Sequence, residues 1–194
     1  MNLKKAIVFI PVIMAISCSN SQTKVSGTQS ATIPTLSEFK LSSPAFKEGG
    51  KIPAIYTCDS TNISPELHWS RVSGKVASYA LIMDDPDAPM GTWVHWVVFD
   101  IPGTDSTLHS NFPVDSIMTN GLRQGLTSFG KQGYGGPCPP NGIHRYFFKL
   151  FALDNTFNLP CKTTGEKTLI AAMKGHILSE AELMGRYEKK KKAE

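Results

Sequence analysis

Long apolar segments and strong charge are both scarce in this sequence of 194 residues. Outside the N-terminus, no apolar run reaches the roughly 18 residues that a membrane-spanning helix needs. The formal net charge is only +4, and the lysines and arginines are scattered, which argues against nucleic acid as a partner. The zinc-protease motif HExxH and the serine-hydrolase motif GxSxG are absent. What remains is a chain of about one domain, 41% hydrophobic, that can build a core.

The N-terminus has the features of an export signal. The stretch MNLKK supplies positive charge, and AIVFIPVIMAIS is an apolar stretch too short to span a bilayer. Small residues precede Cys18, and MAISC resembles a bacterial lipobox, although Ala15 stands where leucine is commoner. We expect residues 1–17 to be a signal peptide and Cys18 to be acylated, which would anchor the protein in the bacterial cell envelope, in the periplasm or at the cell surface. The alternative is an ordinary secretory peptide that is cut nearby.

Two polar segments flank the predicted domain. Residues 18–37 are rich in Ser, Thr, Gln and Gly, and they are predicted to form a flexible lipidated tether. Residues 189–194 form a basic tail, which we interpret as solvated, with contact to anionic lipid as the alternative. The predicted folded domain is therefore 38–188.

Most of the domain has the pattern of β-strands. Apolar, β-rich segments bounded by Pro and Gly clusters predict strands at 38–43, 78–85, 92–101 and 144–154. One helix is predicted late in the chain, because Thr163 and Glu166 have the spacing of a capping box. The apolar residues that follow at helical intervals are Leu169, Ile170, Met173 and Ile177. The pattern predicts a β-sandwich with a helix near its C-terminus.

Three of these strands carry an ionisable residue on an apolar face near one end. In 78–85 this residue is Asp85, in 92–101 it is His95, and in 144–154 it is His144. Periodicity groups His95 with Trp93, Val97 and Phe99, and groups His144 with Tyr146, Phe148 and Leu150. Burial of an unpaired polar group costs roughly 1–3 kcal/mol, so we expect these residues to meet in one pocket.

Two stiff loops adjoin the same strands. They are DDPDAPMG at 84–91 and GYGGPCPPNG at 133–142. Proline restricts the backbone before binding, and glycine lets the backbone approach a ligand and expose its N–H groups. We therefore expect the loops to form the preorganised rim of the pocket.

The long segments DDPDAPMGTWVHWVVFDIP and GYGGPCPPNGIHRYFFKLFALD resemble the two signatures of the phosphatidylethanolamine-binding protein family, the Raf kinase inhibitor-like proteins. The segments YTCDSTNISPELHWS and GHILSEAELMGRYEK resemble further parts of its bacterial branch. The resemblance implies antiparallel sheets in a Greek-key sandwich, with a final strand from about residue 180. It also implies a pocket for phosphate-like groups such as a phosphoethanolamine headgroup. Matched by motif, the ligand-binding residues are Asp85, Asp87, His95, Gly135, Gly136, Pro137, Cys138, His144 and Tyr146.

The function expected on these grounds is binding of a small anionic ligand or a phospholipid headgroup. His95, His144, Tyr146 and loop N–H groups would hold the anion. Asp85 and Asp87 would orient the histidines or a ligand ammonium. No catalytic residue, metal or cofactor is assigned, and no nucleic-acid partner is expected.

Two catalytic alternatives remain open. A hydrolase could use Asp85, His95 and His144 as a two-histidine, one-carboxylate metal set or as an acid–base group. A third interpretation makes Cys138 a nucleophile with His144 as its base.

The cysteines predict one disulfide. Once Cys18 is acylated, Cys58, Cys138 and Cys161 remain, an odd number in an oxidising compartment, and three pairings are possible. We favour Cys58–Cys138, because this bridge would tie the signature loop to the sheet. Cys161 is then expected to stay outside the bridge and to be buried.

Overall fold

The computed structural model describes residues 38–114 and 117–190. The predicted signal peptide and tether lie outside the described residues, as do residues 191–194 of the basic tail. Within the described ranges, no helix is long and apolar enough to cross a membrane.

The described chain is mainly β-structure, with one short α-helix and a 3-10 turn at Ala54–Tyr56. The helix, α1, spans Glu166–Met173. The strands in chain order are β1 Leu41–Ser42, β2 Leu67–Trp69, β3 Ser78–Asp85, β4 Trp93–Pro102, β5 Thr107–Leu108, β6 Arg123–Gln124, β7 Ile143–Leu153 and β8 Ile177–Glu188.

The strands form two antiparallel sheets. The larger sheet has the order β6-β4-β3-β7-β8, and the smaller has the order β1-β2-β5. The predicted strands at 78–85, 92–101 and 144–154 are confirmed as β3, β4 and β7, within one residue at each end. The strand predicted at 38–43 is shorter, because only Leu41–Ser42 pairs with β2. The long strands β3, β4 and β7 are neighbours, so residues near their ends can meet.

Two apolar cores lie on opposite faces of the larger sheet. The first contains residues of both sheets, among them Leu41, Trp69, Leu81 and Phe148, and it fills the space between them. The second contains Leu169 and Met173 of α1 packed on the sheet's other face. The domain therefore has three layers, with the larger sheet in the middle.

The C-terminal elements differ from their predicted bounds. The N-cap of α1 is Gly165, and the hydroxyl of Thr163 donates to the Pro160 carbonyl at 3.4 Å, so the predicted capping box of Thr163 and Glu166 does not form. The helix ends before Gly175, which has a φ of +85° and turns the chain. The last strand begins at Ile177 rather than at about 180, because Ile177 already pairs with Leu153 of β7.

A β-bulge breaks the periodicity of β4. Met83 pairs with Trp96 and Asp84 pairs with Val94, so His95 is an extra residue on β4. His95 and Trp96 both contact residues of the first core, whereas Val97 and Phe99 lie in the second core. The prediction that His95 shares a face with Val97 and Phe99 is therefore wrong, because strict alternation fails across a bulge.

Candidate functional site

A cavity of about 350 Å³ lies where β3, β4 and β7 meet the loops that the sequence marked as stiff. This volume is in the range of pockets that take a small ligand. Its wall is formed by Asp85, Ala88, Pro89, Met90, Trp93, His95, Phe129, Cys138, Pro139, Pro140, His144 and Tyr146. Asp85, His95, Cys138, His144 and Tyr146 of the predicted residues thus line one cavity.

Asp85 and His144 form a buried hydrogen-bonded pair. Nδ1 of His144 lies 2.7 Å from Oδ2 of Asp85, and both side chains are less than one-tenth exposed. The other carboxylate oxygen of Asp85 accepts the N–H of Asp87 at 2.9 Å. Because Asp85 fixes the proton of His144 on Nδ1, Nε2 is the ring nitrogen available to a ligand.

His95 is held by a backbone carbonyl. Its Nδ1 lies 2.5 Å from the oxygen of Gly135, and its ring makes edge contacts with Phe129 and Tyr146 at centroid distances of 5.3 and 5.2 Å. Burial lowers the pKa of His95, although the carbonyl of Gly135 and the charge of Asp85 partly oppose this effect. The ring is therefore neutral near pH 7, with its proton on Nδ1.

Among the buried side-chain nitrogen and oxygen atoms of the described wall residues, the hydroxyl of Tyr146 is the one that has no hydrogen-bond partner. Asp85 and the amide of Cys138 act on it electrostatically, but neither has hydrogen-bond geometry with it. Burial first, and then the charge of Asp85, raise the pKa of Tyr146 far above its usual range. The wall thus presents a protonated, unsatisfied donor.

The glycines of the second loop serve the fold rather than the cavity. The N–H of Gly135 donates to the carbonyl of His95 at 2.9 Å, and that of Gly136 donates to Oδ1 of Asn62 at 2.8 Å. A Cβ on Gly136 would lie 2.4 Å from the carbonyl oxygen of Tyr56, so only glycine fits this close approach. Neither glycine lines the cavity, and this corrects the expectation that their N–H groups face a ligand.

The loop is joined to the upstream segment at two points. Pro137 lies behind the wall, where its carbonyl accepts the N–H of Cys58 at 3.1 Å. Cys58 and Cys138 form a disulfide with their Cα atoms 5.4 Å apart. Cys161 is buried in the second core, outside this bridge. In this arrangement Cys138 is a wall residue and is not a thiol nucleophile.

Asp87 lies outside the cavity wall and does not orient either histidine. Its carboxylate accepts three hydrogen bonds from Arg145, two from the guanidinium at 2.9 and 2.6 Å and one from the backbone N–H at 2.9 Å. The guanidinium lowers the pKa of Asp87 to about 2. Asp87 therefore connects the first loop to β7, and this corrects its assignment as a ligand-contacting residue.

Sequence reasoning did not assign seven wall residues. Trp93 shares the predicted face of His95, and five lie within the two loops: Ala88, Pro89, Met90, Pro139 and Pro140. The positions of these six residues beside the predicted site residues could therefore have identified them as part of the cavity wall. Phe129 lies in a stretch without strand or helix periodicity, so no pattern in the sequence points to it.

No group of three or more His, Cys, Asp or Glu side chains in 38–114 and 117–190 is placed to hold a metal ion. Nδ1 of His95 and Nδ1 of His144 are both engaged by protein oxygens. The arrangement supplies instead a histidine–carboxylate pair, a second histidine and a phenol donor around a partly aromatic cavity.

Comparison with known proteins gives one family. The model of the phosphatidylethanolamine-binding protein family matches residues 42–188. A UPF0098 protein of Methanothermobacter thermautotrophicus is 48% identical over 149 residues, which cover 77% of this chain and 98% of that protein. A UPF0098 protein of Aquifex aeolicus is 47% identical over 151 residues, which cover 76% of this chain and 86% of that protein.

Two solved structures share the fold. The crystal structure of a phosphatidylethanolamine-binding protein homologue from Chlamydia trachomatis matches with a TM-score of 0.71 and 38% identity, covering 79% of this chain and 99% of that one. That of E. coli YbcL, described as a new member of the mammalian family, matches with a TM-score of 0.72 and 32% identity, over the same shares of the two chains.

Proposed function

Since the chain belongs to the phosphatidylethanolamine-binding protein family, we propose that it binds a small phosphate- or carboxylate-bearing ligand, including a phospholipid headgroup, in the cavity at the ends of β3, β4 and β7. The observation that carries the proposal is the buried hydroxyl of Tyr146, a residue of the cavity wall, which has no hydrogen-bond partner among the described residues. An unsatisfied buried donor costs about 1–3 kcal/mol, and a ligand oxygen would satisfy it.

His144 is the second anion contact. Its Nδ1 is bound to Asp85, so a protonated ring would present its Nε2–H to the ligand oxygen. An N–H donor beside an anionic oxygen forms a charge-assisted hydrogen bond, which is shorter and stronger than a neutral one.

His95 has a different role in this site. Because burial keeps its ring neutral, His95 forms part of the cavity wall and offers the lone pair of Nε2 as a hydrogen-bond acceptor, but it contributes no positive charge. A monoprotonated phosphate carries one O–H that can donate to such an acceptor. The N–H groups of Gly135 and Gly136 are bonded within the protein, so the contacts proposed here come from side chains.

We further propose that the protein is exported and is anchored in the cell envelope through an acylated Cys18. The support is the order of charged, apolar and small residues before that cysteine. The anchor would keep the cavity near the lipids whose headgroups it can accept.

A hydrolase remains the second candidate, because the Asp85–His144 pair at 2.7 Å has the geometry of an orienting acid and a general base. In this version Nε2 of His144 would remove a proton from water as the water oxygen bonds to the phosphorus or carbonyl carbon of an ester. The bond to the ester's alcohol oxygen would break, and the alcohol would leave with the proton returned by His144. No step involves Cys138, whose sulfur is bonded to that of Cys58.

Isothermal titration with O-phosphorylethanolamine tests the binding proposal. Tyr146→Phe should weaken binding about ten- to a hundredfold, because a hydrogen bond to a charged group contributes about 1.5–3 kcal/mol. It should not lower stability, since the hydroxyl that it removes is unsatisfied. The matched control is Tyr187→Phe, which removes a buried hydroxyl that donates to Asp59 at 2.5 Å and should leave affinity unchanged.

Absence of binding to the unmodified protein, or equal affinity in Tyr146→Phe, contradicts the proposal. Release of product from p-nitrophenyl phosphate or p-nitrophenyl acetate that depends on His144 would favour the hydrolase.

A further inference from the structure

A separate cavity of about 310 Å³ lies at the other end of β3 and β4. Tyr79 near the start of β3 lines it, whereas Asp85 at the end of β3 lines the cavity of the proposed function. The extended strand between these two residues spans about 20 Å, and the two cavities share no wall residue. We call this space the Arg71 cavity, and its wall includes Arg71, Gly74, Lys75, Tyr79, Gly103 and Thr104.

Two cations of this wall are not neutralised by the protein. Arg71 and Lys75 are exposed and lie on either side of Gly74, whose φ of +100° turns the chain. Neither cation forms an ion pair with an acid among the described residues, and no acid is part of the wall. The adjacent Asp105 accepts the hydroxyl of Thr104 at 3.3 Å and lies outside the wall. The Arg71 cavity therefore carries uncompensated positive charge.

A buried donor without a partner lies behind the same wall. Nε1 of Trp69 has no hydrogen-bond partner among the described residues, and the residue is only 6% exposed. The Trp69 ring contacts the Tyr79 ring edge-on, with the centroids 5.4 Å apart. Burial raises the pKa of Tyr79, whereas the N–H of Trp69 and the charge of Arg71 lower it. The indole N–H and the guanidinium thus both lie on the side of the phenol oxygen.

These three groups suit an anion. The phenol oxygen of Tyr79 can accept the N–H of Trp69 while its own O–H donates to an anionic oxygen in the cavity. Donation to an anion makes the phenol oxygen a better acceptor, because hydrogen bonds in a chain strengthen one another. An anion would therefore satisfy the buried N–H through Tyr79.

One side of the cavity is fixed by backbone contacts. The N–H of Gly103 donates to the carbonyl of Ala77 at 3.1 Å, and the N–H of Ala77 donates to that of Leu153 at 2.8 Å. A Cβ on Gly103 would lie 2.1 Å from the carbonyl oxygen of Val76, so only glycine permits this close approach. The segment before β3 is thereby tied to the turn after β4, and this part of the wall is preorganised.

We propose that the Arg71 cavity binds the phosphate group of a small soluble ligand, which Arg71 and Lys75 hold by charge and to which Tyr79 donates its hydroxyl. A guanidinium can donate two parallel N–H bonds to one phosphate, and an ammonium acts on it as a point charge. Inorganic phosphate and a phosphate monoester share this chemistry. The inference goes beyond the proposed function, because it concerns other residues at the other end of the strands.

The domain can be tested without its N-terminal segment. The matched region covers 98% of the Methanothermobacter relative, so that relative consists of little more than this domain. Both described cores lie within residues 41–187. The experiment therefore uses residues 38–194.

The measurement is a nuclear magnetic resonance titration that follows the indole N–H signals of the three tryptophans. Trp69 reports on the Arg71 cavity, and Trp93 lines the cavity of the proposed function. Trp96 donates to Gln124 in the interior and serves as the internal reference. Inorganic phosphate in one arm and glycerol 3-phosphate in the other should shift the Trp69 signal to saturation. Sodium chloride at equal ionic strength should not.

Arg71→Gln should raise the dissociation constant measured at the Trp69 signal about tenfold, because glutamine cannot replace the charged pair of donors. Since Arg71 is exposed and forms no ion pair among the described residues, the variant should melt at the same temperature as the unmodified domain. The matched control is Arg186→Gln, the same change at an exposed arginine of β8 outside this wall, which should leave the dissociation constant unchanged.

The outcomes separate this inference from the proposed function. Saturation by both ligands supports a site for the phosphate group, and saturation by one supports it for the bare anion or for the monoester alone. The inference is overturned if Trp69 does not respond, if chloride shifts its signal equally, or if Arg71→Gln and Arg186→Gln bind alike. A response of Trp69 that depends on Arg71, without any at Trp93, leaves this inference standing and counts against the proposed function.

Discussion

His95 reaches the cavity because β4 has one residue more than its partner at that point. The bulge turns its ring towards Tyr146, and Gly135 then fixes the ring nitrogen that carries the proton. The same burial that gives the ring its position makes its charged form unfavourable, so its pKa is lowered.

The lowered pKa of His95 makes the free energy of unfolding depend on pH. In the unfolded chain a histidine takes up a proton below about pH 6.5, whereas in the folded protein it does so only at lower pH. The unfolded state therefore binds more protons in this window, and the free energy of unfolding should fall as pH falls below 6.5, by up to about 1.4 kcal/mol per pH unit. Thermal melts between pH 7.5 and 5 should show a smaller decline for His95→Asn; equal declines in both proteins would count against this account.

Asp87 illustrates a residue whose charge stabilises the structure around a site. Its folded pKa of about 2 lies below the ordinary 3.8, so it contributes stability above about pH 4 that is lost as pH falls towards 2. Solvent screening at the half-exposed Arg145 limits the contribution to about 1 kcal/mol.

Asp87→Asn should lower the free energy of unfolding by about that amount at pH 7 and by much less near pH 2. Chemical denaturation at the two pH values measures the difference. Glu38→Gln is the control, because Glu38 pairs with Lys40 on the open surface and should change stability little at either pH. An Asp87→Asn variant as stable as the unmodified protein at pH 7 would contradict this expectation. It would show that the three hydrogen bonds from Arg145 stabilise the fold no more than desolvation of the two charged groups destabilises it.

At the level of elements, the disulfide connects the loop before β7 to the turn after residues 54–56. Residues 139–142 make no hydrogen bonds to the rest of the described chain, so the bridge at Cys138 and the start of β7 hold this part of the cavity wall. The bridged cysteines are separated by 80 positions in the sequence. Loop-closure entropy then gives a contribution of roughly 4 kcal/mol to stability.

Cys58→Ser combined with Cys138→Ser should lower the free energy of unfolding by roughly 4 kcal/mol in urea titrations. It should also weaken binding of O-phosphorylethanolamine, because the wall residues Pro139 and Pro140 lose their preorganised position. Cys161→Ala serves as the comparison: it touches the second core and should lower stability without changing affinity. Unchanged affinity in the double variant would assign the rigidity of this loop to its prolines and glycines alone.

At the scale of the whole molecule, the cavity opens at one end of a three-layer domain whose long strands are all antiparallel neighbours. We propose that the segment before residue 38 directs the export and anchoring of this domain. If Cys18 is the acylated N-terminus of the mature protein, expression in a bacterium should give a membrane-bound product that begins at that cysteine.

Cys18→Ser should then abolish incorporation of labelled palmitate and release the protein from the membrane fraction. Mass spectrometry of the purified protein identifies the mature N-terminus and its lipid. A mature chain that begins at another residue and carries no lipid would establish the ordinary secretory peptide instead.

Local pattern was sufficient for the long strands β3, β4 and β7 and for part of the site. The alternation along β7 predicted that His144, Tyr146 and Phe148 share a face, and all three lie on the side of the first core and the cavity. The same reasoning failed on β4, because one extra residue at His95 reverses the alternation. Pattern also gave no indication of Phe129, which belongs to neither a strand nor a helix.

The sequence by itself determined the mainly β character, the apolar face of β7, the stiffness of the two loops and the family signatures, because each depends on residues close together in the chain. Only the tertiary structure decided which groups remain available to a ligand. His95 meets Gly135 across 40 positions, and His144 meets Asp85 across 59. Arg145 donates hydrogen bonds to the carboxylate of Asp87, and Oδ1 of Asn62 accepts the N–H of Gly136. Such partners are fixed by sheet register and loop closure, which bring together groups that no short-range periodicity relates.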